Sequence, residues 1–162
     1  MYDSMSALVQ DLEPYTKYMG VGEFSDEFPA STDVAAPSSP LNFNITALGS
    51  SSLHLSWSPP AKFYKSVDGY IIKGWDHLGK IIEDVIDLTK KKDISGNGTS
   101  YTQHTLRNLA TNARYNLCIA AVTGSIFSKV KYTGDFTEVK SVTLGSKSFL
   151  LILTASQLKL LQ

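Results

Sequence analysis

The side chains in this chain that could do chemistry are few and scattered. His54, His77 and His104 lie 23 and 27 residues apart, whereas histidines that share a metal ion need an i, i+4 or short-loop spacing. They form no metal motif; His54 falls on the polar face of an alternating segment, and the other two fall near turns. Acyl transfer needs a serine or cysteine with a positioned base and an oxyanion site. Neither Gly49-Ser50-Ser51-Ser52, which reads as a turn, nor Cys118 has that setting. Gly96-Asn97-Gly98 has the glycines of a phosphate loop, but no lysine follows at the required spacing and no helical pattern follows it. Asp84 with Asp87, and Asp26 with Glu27 and Asp33, are candidates for acid–base work or calcium. Calcium, however, needs about six to eight oxygens in an ordered loop, and these carboxylates read as solvated surface. No catalytic residue, metal or cofactor is expected.

Two segments point to modification instead. Asn44-Ile45-Thr46 and Asn97-Gly98-Thr99 are N-glycosylation sequons with a non-proline middle residue, so Asn44 and Asn97 are candidate glycan carriers. Cys118 is the single cysteine, which excludes an intrachain disulfide and taken alone would suit a reducing compartment. Lys plus Arg equals Asp plus Glu at 15 each, so no global field attracts nucleic acid or an anionic membrane. Lys90-Lys91-Lys92 could touch a sulfated sugar, but Asp87 and Asp93 flank it and make it read as a solvated loop.

The elements that must carry these residues are short. With 43% hydrophobic residues the chain can fill a core, and its apolar segments are brief, separated by turn formers, and without helical period. Leu53, Leu55 and Trp57 alternate with His54 and Ser56, and Pro59-Pro60 ends that strand. Tyr70 and Ile72 alternate after Asp68-Gly69. Residues 81–86 allow a short helix by spacing, but their β-branched content favours strand. Tyr101, Gln103 and Thr105 alternate next, then Tyr115, Leu117, Ile119 and Ala121 share one face. A last strand is expected near residues 139–142, after a hairpin connection at Thr133-Gly134-Asp135.

There is also an internal repeat. Leu12 and Tyr18 are echoed by Leu109 and Tyr115, with the same spacing of six and 97 residues between the copies, about the size of one β-sandwich. Residues 29–40, rich in Pro, Ala and Ser, read as a linker.

Residues 36–144 together resemble a fibronectin type III domain. The residues that carry the likeness are Pro37-Ser38-Ser39-Pro40, the segment Leu53-His54-Leu55-Ser56-Trp57-Ser58-Pro59-Pro60, then Asp68-Gly69-Tyr70 and residues 109–122. The resemblance implies a seven-stranded antiparallel β-sandwich with Trp57 and Tyr70 in its core and a tyrosine corner built from Leu109 and Tyr115. Leu117, two residues past that tyrosine, stands where an immunoglobulin domain carries a disulfide cysteine, which favours the fibronectin type. Thr111, Asn112 and Ala113 replace the usual proline, glycine and threonine of the corner. Residues 1–34 are expected to be the C-terminal remnant of a preceding domain of the same kind, with a stretch from 19 to 28 too short for a normal closing hairpin. Residues 35–145 form the complete domain, and 146–162 a tail or the start of another.

The functional expectation is a protein-binding and spacer module of a cell-surface receptor or adhesion protein, extracellular, non-enzymatic, and part of something longer. Residues 1–12 lack the pattern of a signal peptide, and 149–153 are too few to span a bilayer, which takes about 20 apolar residues. If Tyr70 and Ile72 face inward, then Ile71, Trp75, Cys118, Ala120 and Val122 face outward and are the candidate surface for a protein partner or neighbouring domain. An Arg-Gly-Asp tripeptide and a Trp-Ser-x-Trp-Ser box are both absent. Two alternatives stay open: an ectodomain piece of an enzyme-linked receptor whose catalytic domain, a tyrosine kinase or phosphatase, is not in these residues, the tail's apolar pattern resembling the opening of a propeller blade as in sevenless-type receptor tyrosine kinases, and an intracellular structural repeat.

Overall fold

The computed structural model describes residues 8–22, 25–90 and 98–145, and every regular element among them is a strand. Met1 to Ala7, Lys91, Lys92, Asp93, Asn97 and the tail from 146 onward lie outside the described residues.

Alternation decides which way each strand faces. In β4 (Leu53–Ser58), Leu53, Leu55 and Trp57 are buried while His54, Ser56 and Ser58 are half-exposed. β4 pairs on one side with β3 (Leu41–Ala47) and on the other with β7 (Gln103–Leu106), giving a three-stranded sheet. The second sheet runs β10-β8-β5-β6, from β5 (Gly69–Asp76), β6 (Ile81–Asp87), β8 (Arg114–Gly124) and β10 (Lys140–Thr143). β9 (Lys131–Thr133) pairs with the far end of β8. All pairings are antiparallel. The seven-stranded expectation holds once β9 and β10 are counted as two halves of one interrupted strand, and residues 81–87 are strand.

The core lies between the sheets. Leu53, Leu55, Ile72, Leu117 and Ile119 are fully buried, each contributing about 1.5–3 kcal/mol of apolar transfer. At its centre Trp57 stacks at a tilt on Tyr70, with ring centroids 4.9 Å apart, and on Tyr101 at 6.1 Å. Leu109 packs on this core from the rim. Tyr115 is buried and its hydroxyl donates to the Ala110 carbonyl at 3.1 Å, closing the expected tyrosine corner. Asn112 adopts φ 55°: asparagine tolerates the left-handed region that the usual glycine would take.

Two boundaries differ from the sequence reading. The hairpin connection after β8 is residues 125–130, closed by Ser125 N–H donating to the Val130 carbonyl, and Thr133-Gly134-Asp135 instead begins the break between β9 and β10. There the linker crosses so closely that a Cβ on Gly134 would collide with the Pro37 carbonyl. The linker itself starts later than expected, because Pro29, Ala30 and Ser31 belong to β2 (Ser25–Ser31), which pairs with β1 (Lys17–Gly22). Short as it is, the stretch from 19 to 28 still pairs among its described residues, with Gly20 opposite Phe28 and Gly22 opposite Ser25. Proline is tolerated there because it needs no ladder partner on a two-stranded edge.

The repeat extends to the backbone. Positive φ values occur at Asp11 and Tyr15 and again at Asn108 and Asn112, each pair 97 residues apart like the sequence echo. The Tyr18 hydroxyl accepts from Glu13 N–H at 2.8 Å, a separation of five residues that matches Tyr115 and Ala110.

Candidate functional site

The sandwich presents two outer faces of opposite character. On the three-stranded sheet the outward residues form polar rows, Asn44 beside Ser56 beside Gln103, and Thr46 beside His54 beside Thr105. Asn44 and Thr46, the first and third residues of the sequon, are both exposed on this face. Of the second sequon, Asn97 lies outside the described residues, and Thr99 is half-buried.

The outer face of the other sheet is largely apolar. Its rows run Ile81, Trp75, Asn116; then Glu83, Lys73, Cys118; then Val85, Ile71, Ala120. Trp75 is 43% exposed, Val85 60% and Ile81 72%. Lys73 sits in the middle, paired with Glu83 at 3.3 Å and 5.9 Å from the centre of the Phe136 ring. β6 lies at one edge of the sheet.

The expected partner surface is therefore corrected in composition. Ile71 and Cys118 are half-buried on this face and Trp75 is exposed, but Ala120 and Val122 are buried and cannot be presented. Both face outward, yet the segment after β9 runs alongside, with Gly134 N–H donating to Ala121 C=O and Thr137 N–H to Ile119 C=O at 2.9 Å each. Ile81, Val85 and Phe136 complete the face. Sequence alternation missed the first two because Ile81 and Ile82 are adjacent and hide the phase of β6; Phe136 lies in an interruption that no period announces.

The candidate reactive groups have structural employment. Burial pushes the Cys118 thiol upward, opposed by Lys73, which is the reverse of an activated nucleophile. His104 is not at a turn but on β7, where it faces inward. Its ring bridges Asp84 on β6 at 2.8 Å and the Tyr101 hydroxyl at 3.2 Å, tying the two sheets at their open edge. Asp84 is thus a cross-sheet partner rather than free surface. Asp87 holds Thr89 and lies 3.5 and 3.7 Å from Lys90 and Lys131. No group of three or more metal-ligating side chains occurs among the described residues.

Asp33 departs most from its expected role as solvated surface. Its carboxylate accepts from Ser125 Oγ at 2.6 Å, Ile126 N–H at 2.9 Å, Tyr132 Oη at 3.0 Å and Val34 N–H at 2.8 Å. Those bonds, the one from Ser125 foremost, lower its pKa to about 2 against an opposing effect of burial. Apart from the adjacent Val34, the residues it contacts lie 92 to 99 positions away in sequence, and no local pattern announces them.

Comparison with known proteins agrees with this architecture. Residues 36–133 match the model of the fibronectin type III domain. The chain is 32% identical over 149 residues to tyrosine-protein phosphatase 99A of Drosophila melanogaster, an alignment that takes in 84% of this chain and 11% of that protein. It is 29% identical over 131 residues to mouse tenascin, covering 77% of this chain and 6% of tenascin. Among solved structures, domains d3-d4 of the rat CD45 extracellular region align over 86% of this chain and 70% of theirs, with a TM-score of 0.58 at 17% identity. The chain belongs to the fibronectin type III domain family.

Proposed function

We propose that this chain is a protein-binding and spacer segment from the extracellular part of a cell-surface receptor or adhesion protein. The observation that carries the reading is the contrast between the outer faces: a polar one bearing an exposed sequon, and an apolar one centred on Trp75 with a charged pair inside it. A face of that kind suits a protein contact, and the polar face suits a glycan at Asn44. The fibronectin type III module is itself non-catalytic and works by presenting surfaces. The relatives, phosphatases and tenascin, support a place at the cell surface or outside it. No helix of the described residues is long and apolar enough to cross a membrane.

Residues 1–34 are read as the closing part of a preceding domain of the same family. The matched positive φ values support this, together with phenol-to-backbone bonds of the same five-residue separation, in which Tyr18 accepts where Tyr115 donates, as does the alignment of a two-domain structure over 86% of the chain, well beyond residues 36–133. Residues 146–162, outside the described residues, are read as a tail or the start of another domain.

A second reading, an ectodomain piece of an enzyme-linked receptor, is favoured in its phosphatase form by the 32% identity to a tyrosine phosphatase. A full-length transcript encoding a phosphatase domain would select it, and one encoding a kinase would select the sevenless-type version.

The partner-surface claim is tested with Trp75→Glu and Ile81→Asp in the full-length protein displayed on cells. Proximity labelling should lose its main protein neighbours while the melting temperature of the variant chain stays within about 2 °C of the parent, since exposed substitutions change stability by about 0.5 kcal/mol or less. Unchanged neighbours would dismiss this face.

A further inference from the structure

Adjacent domains in one chain ordinarily swing about their linker. The segment between β2 and β3 is not built that way. Thr32 Oγ1 donates to the Glu13 carbonyl at 2.6 Å and accepts from Thr16 N–H at 3.1 Å, so the linker is bonded to the turn that precedes β1. The next residue is bonded in both directions: the Asp33 carbonyl accepts from Tyr15 N–H at 2.9 Å, while its carboxylate takes Ser125 Oγ, Ile126 N–H and Tyr132 Oη from the sandwich. The neighbouring Val34 is buried. Four residues on, Ser38 exchanges bonds with Lys62, N–H to carbonyl at 2.8 Å and Lys62 N–H to Ser38 Oγ at 3.1 Å.

The loop that receives Asp33 is organised for it. Ser125 Oγ donates to the carboxylate and accepts from Phe127 N–H and Ser128 N–H, both at 3.0 Å. A single hydroxyl thus shapes the loop and joins it to the linker. Ile126 from the same loop and Tyr15, Thr16, Lys17, Ser31 and Thr32 from the hairpin side wall one cleft. Charge-assisted bonds of this kind are about twice as strong as neutral ones, and of the four that converge on this carboxylate three come from residues 125–132.

We propose that Asp33 locks a fixed joint between two tandem sandwich domains, with residues 125–130 acting as the docking surface for the preceding domain rather than as a free ligand-binding loop. The proposal rests on the reading of residues 1–34 as the end of such a domain. It adds that the two domains keep one mutual orientation, so a partner meets a rigid pair and the apolar face of β5, β6 and β8 holds a set direction along the ectodomain.

The test is residual dipolar coupling of the isotope-labelled 162-residue chain, as parent, Asp33→Ala, Asp33→Asn and Tyr132→Phe. In the parent the couplings of β1–β2 and of the sandwich should fit one alignment tensor. Asp33→Ala should split them into two, with at least a two-fold drop in the hairpin's alignment magnitude, and Tyr132→Phe should give a smaller drop. Asp33→Asn, which keeps the acceptor oxygen but not the charge, should fall between. With the Lys17–Ser31 cross-strand contacts intact, separate tensors in the parent would overturn the fixed joint, and one tensor retained in Asp33→Ala would overturn Asp33 as its lock; either result leaves the domain reading standing. Loss of those contacts in the parent would overturn both.

Discussion

The same chemical change at two buried tyrosines should have opposite signs. Tyr115 donates to the Ala110 carbonyl at 3.1 Å, so Tyr115→Phe removes a made hydrogen bond. The net worth of such a bond is about 1 kcal/mol, and because Ala110 is exposed its carbonyl regains water, which keeps the loss near that figure. Tyr70 is fully buried and its hydroxyl has no hydrogen-bond partner among the described residues. The Trp57 indole N–H lies near enough to ease ionisation slightly, but burial dominates and raises the Tyr70 pKa; that N–H is itself unpartnered. Tyr70→Phe therefore relieves an unsatisfied polar group, a penalty of about 1–3 kcal/mol, and keeps the tilted stack on Trp57. A net gain of about 1 kcal/mol is expected after a small packing loss. Urea melts followed by circular dichroism should move the midpoint down for Tyr115→Phe and up for Tyr70→Phe at constant slope, with melting temperatures shifting by about 4 °C each way. A Tyr70→Phe protein less stable by about 1 kcal/mol would show that the Tyr70 hydroxyl is satisfied, and a neutral Tyr115→Phe that the corner bond contributes nothing.

Other consequences are as direct. Gly74 lies mid-strand in β5, where a Cβ would run into the Asn116 carbonyl and the Leu117 side chain; Gly74→Ala should cost about 1–3 kcal/mol in the same melts. The Asp33 carboxyl should titrate near 2 by carbon-13 NMR. Because that folded value lies below the usual 3.8, its stabilising contribution is present above the ordinary aspartate range and lost as pH falls through about 2, so joint rigidity at pH 4 should equal that at pH 7. Joint rigidity that is lost between pH 7 and 4 would contradict it.

What the sequence made legible was whatever repeats with period two or recurs at fixed offset. Leu53, Leu55 and Trp57 identify a strand and its buried side at once, and Leu109 with Tyr115 identifies the corner, because both depend on neighbours a few residues away. The hairpin after β8 was misplaced because Gly134 looks like a turn residue, whereas it is a glycine for close passage of the linker at Pro37. Ala120 and Val122 alternate correctly yet are covered, since alternation gives facing and not what lies above. Asp33 and Asp84 read as solvated surface, and His104 as lying near a turn, because the partners that hold them across the fold, Ser125, Ile126 and Tyr132 for Asp33 and the Asp84–His104 pair, lie 20 to 99 residues apart. Only the fold brings them together.

A module that works outside the cell, as part of a receptor or adhesion protein, must reach the cell surface and there carry its glycan. The most direct measurement expresses the full-length gene product in cells of its own source, labels intact cells with a membrane-impermeant reagent, and compares glycosidase sensitivity of the parent and Asn44→Gln. Surface labelling, with a glycan lost in Asn44→Gln, is the predicted result. A protein protected from the reagent and carrying no glycan would contradict that placement and favour the intracellular structural repeat.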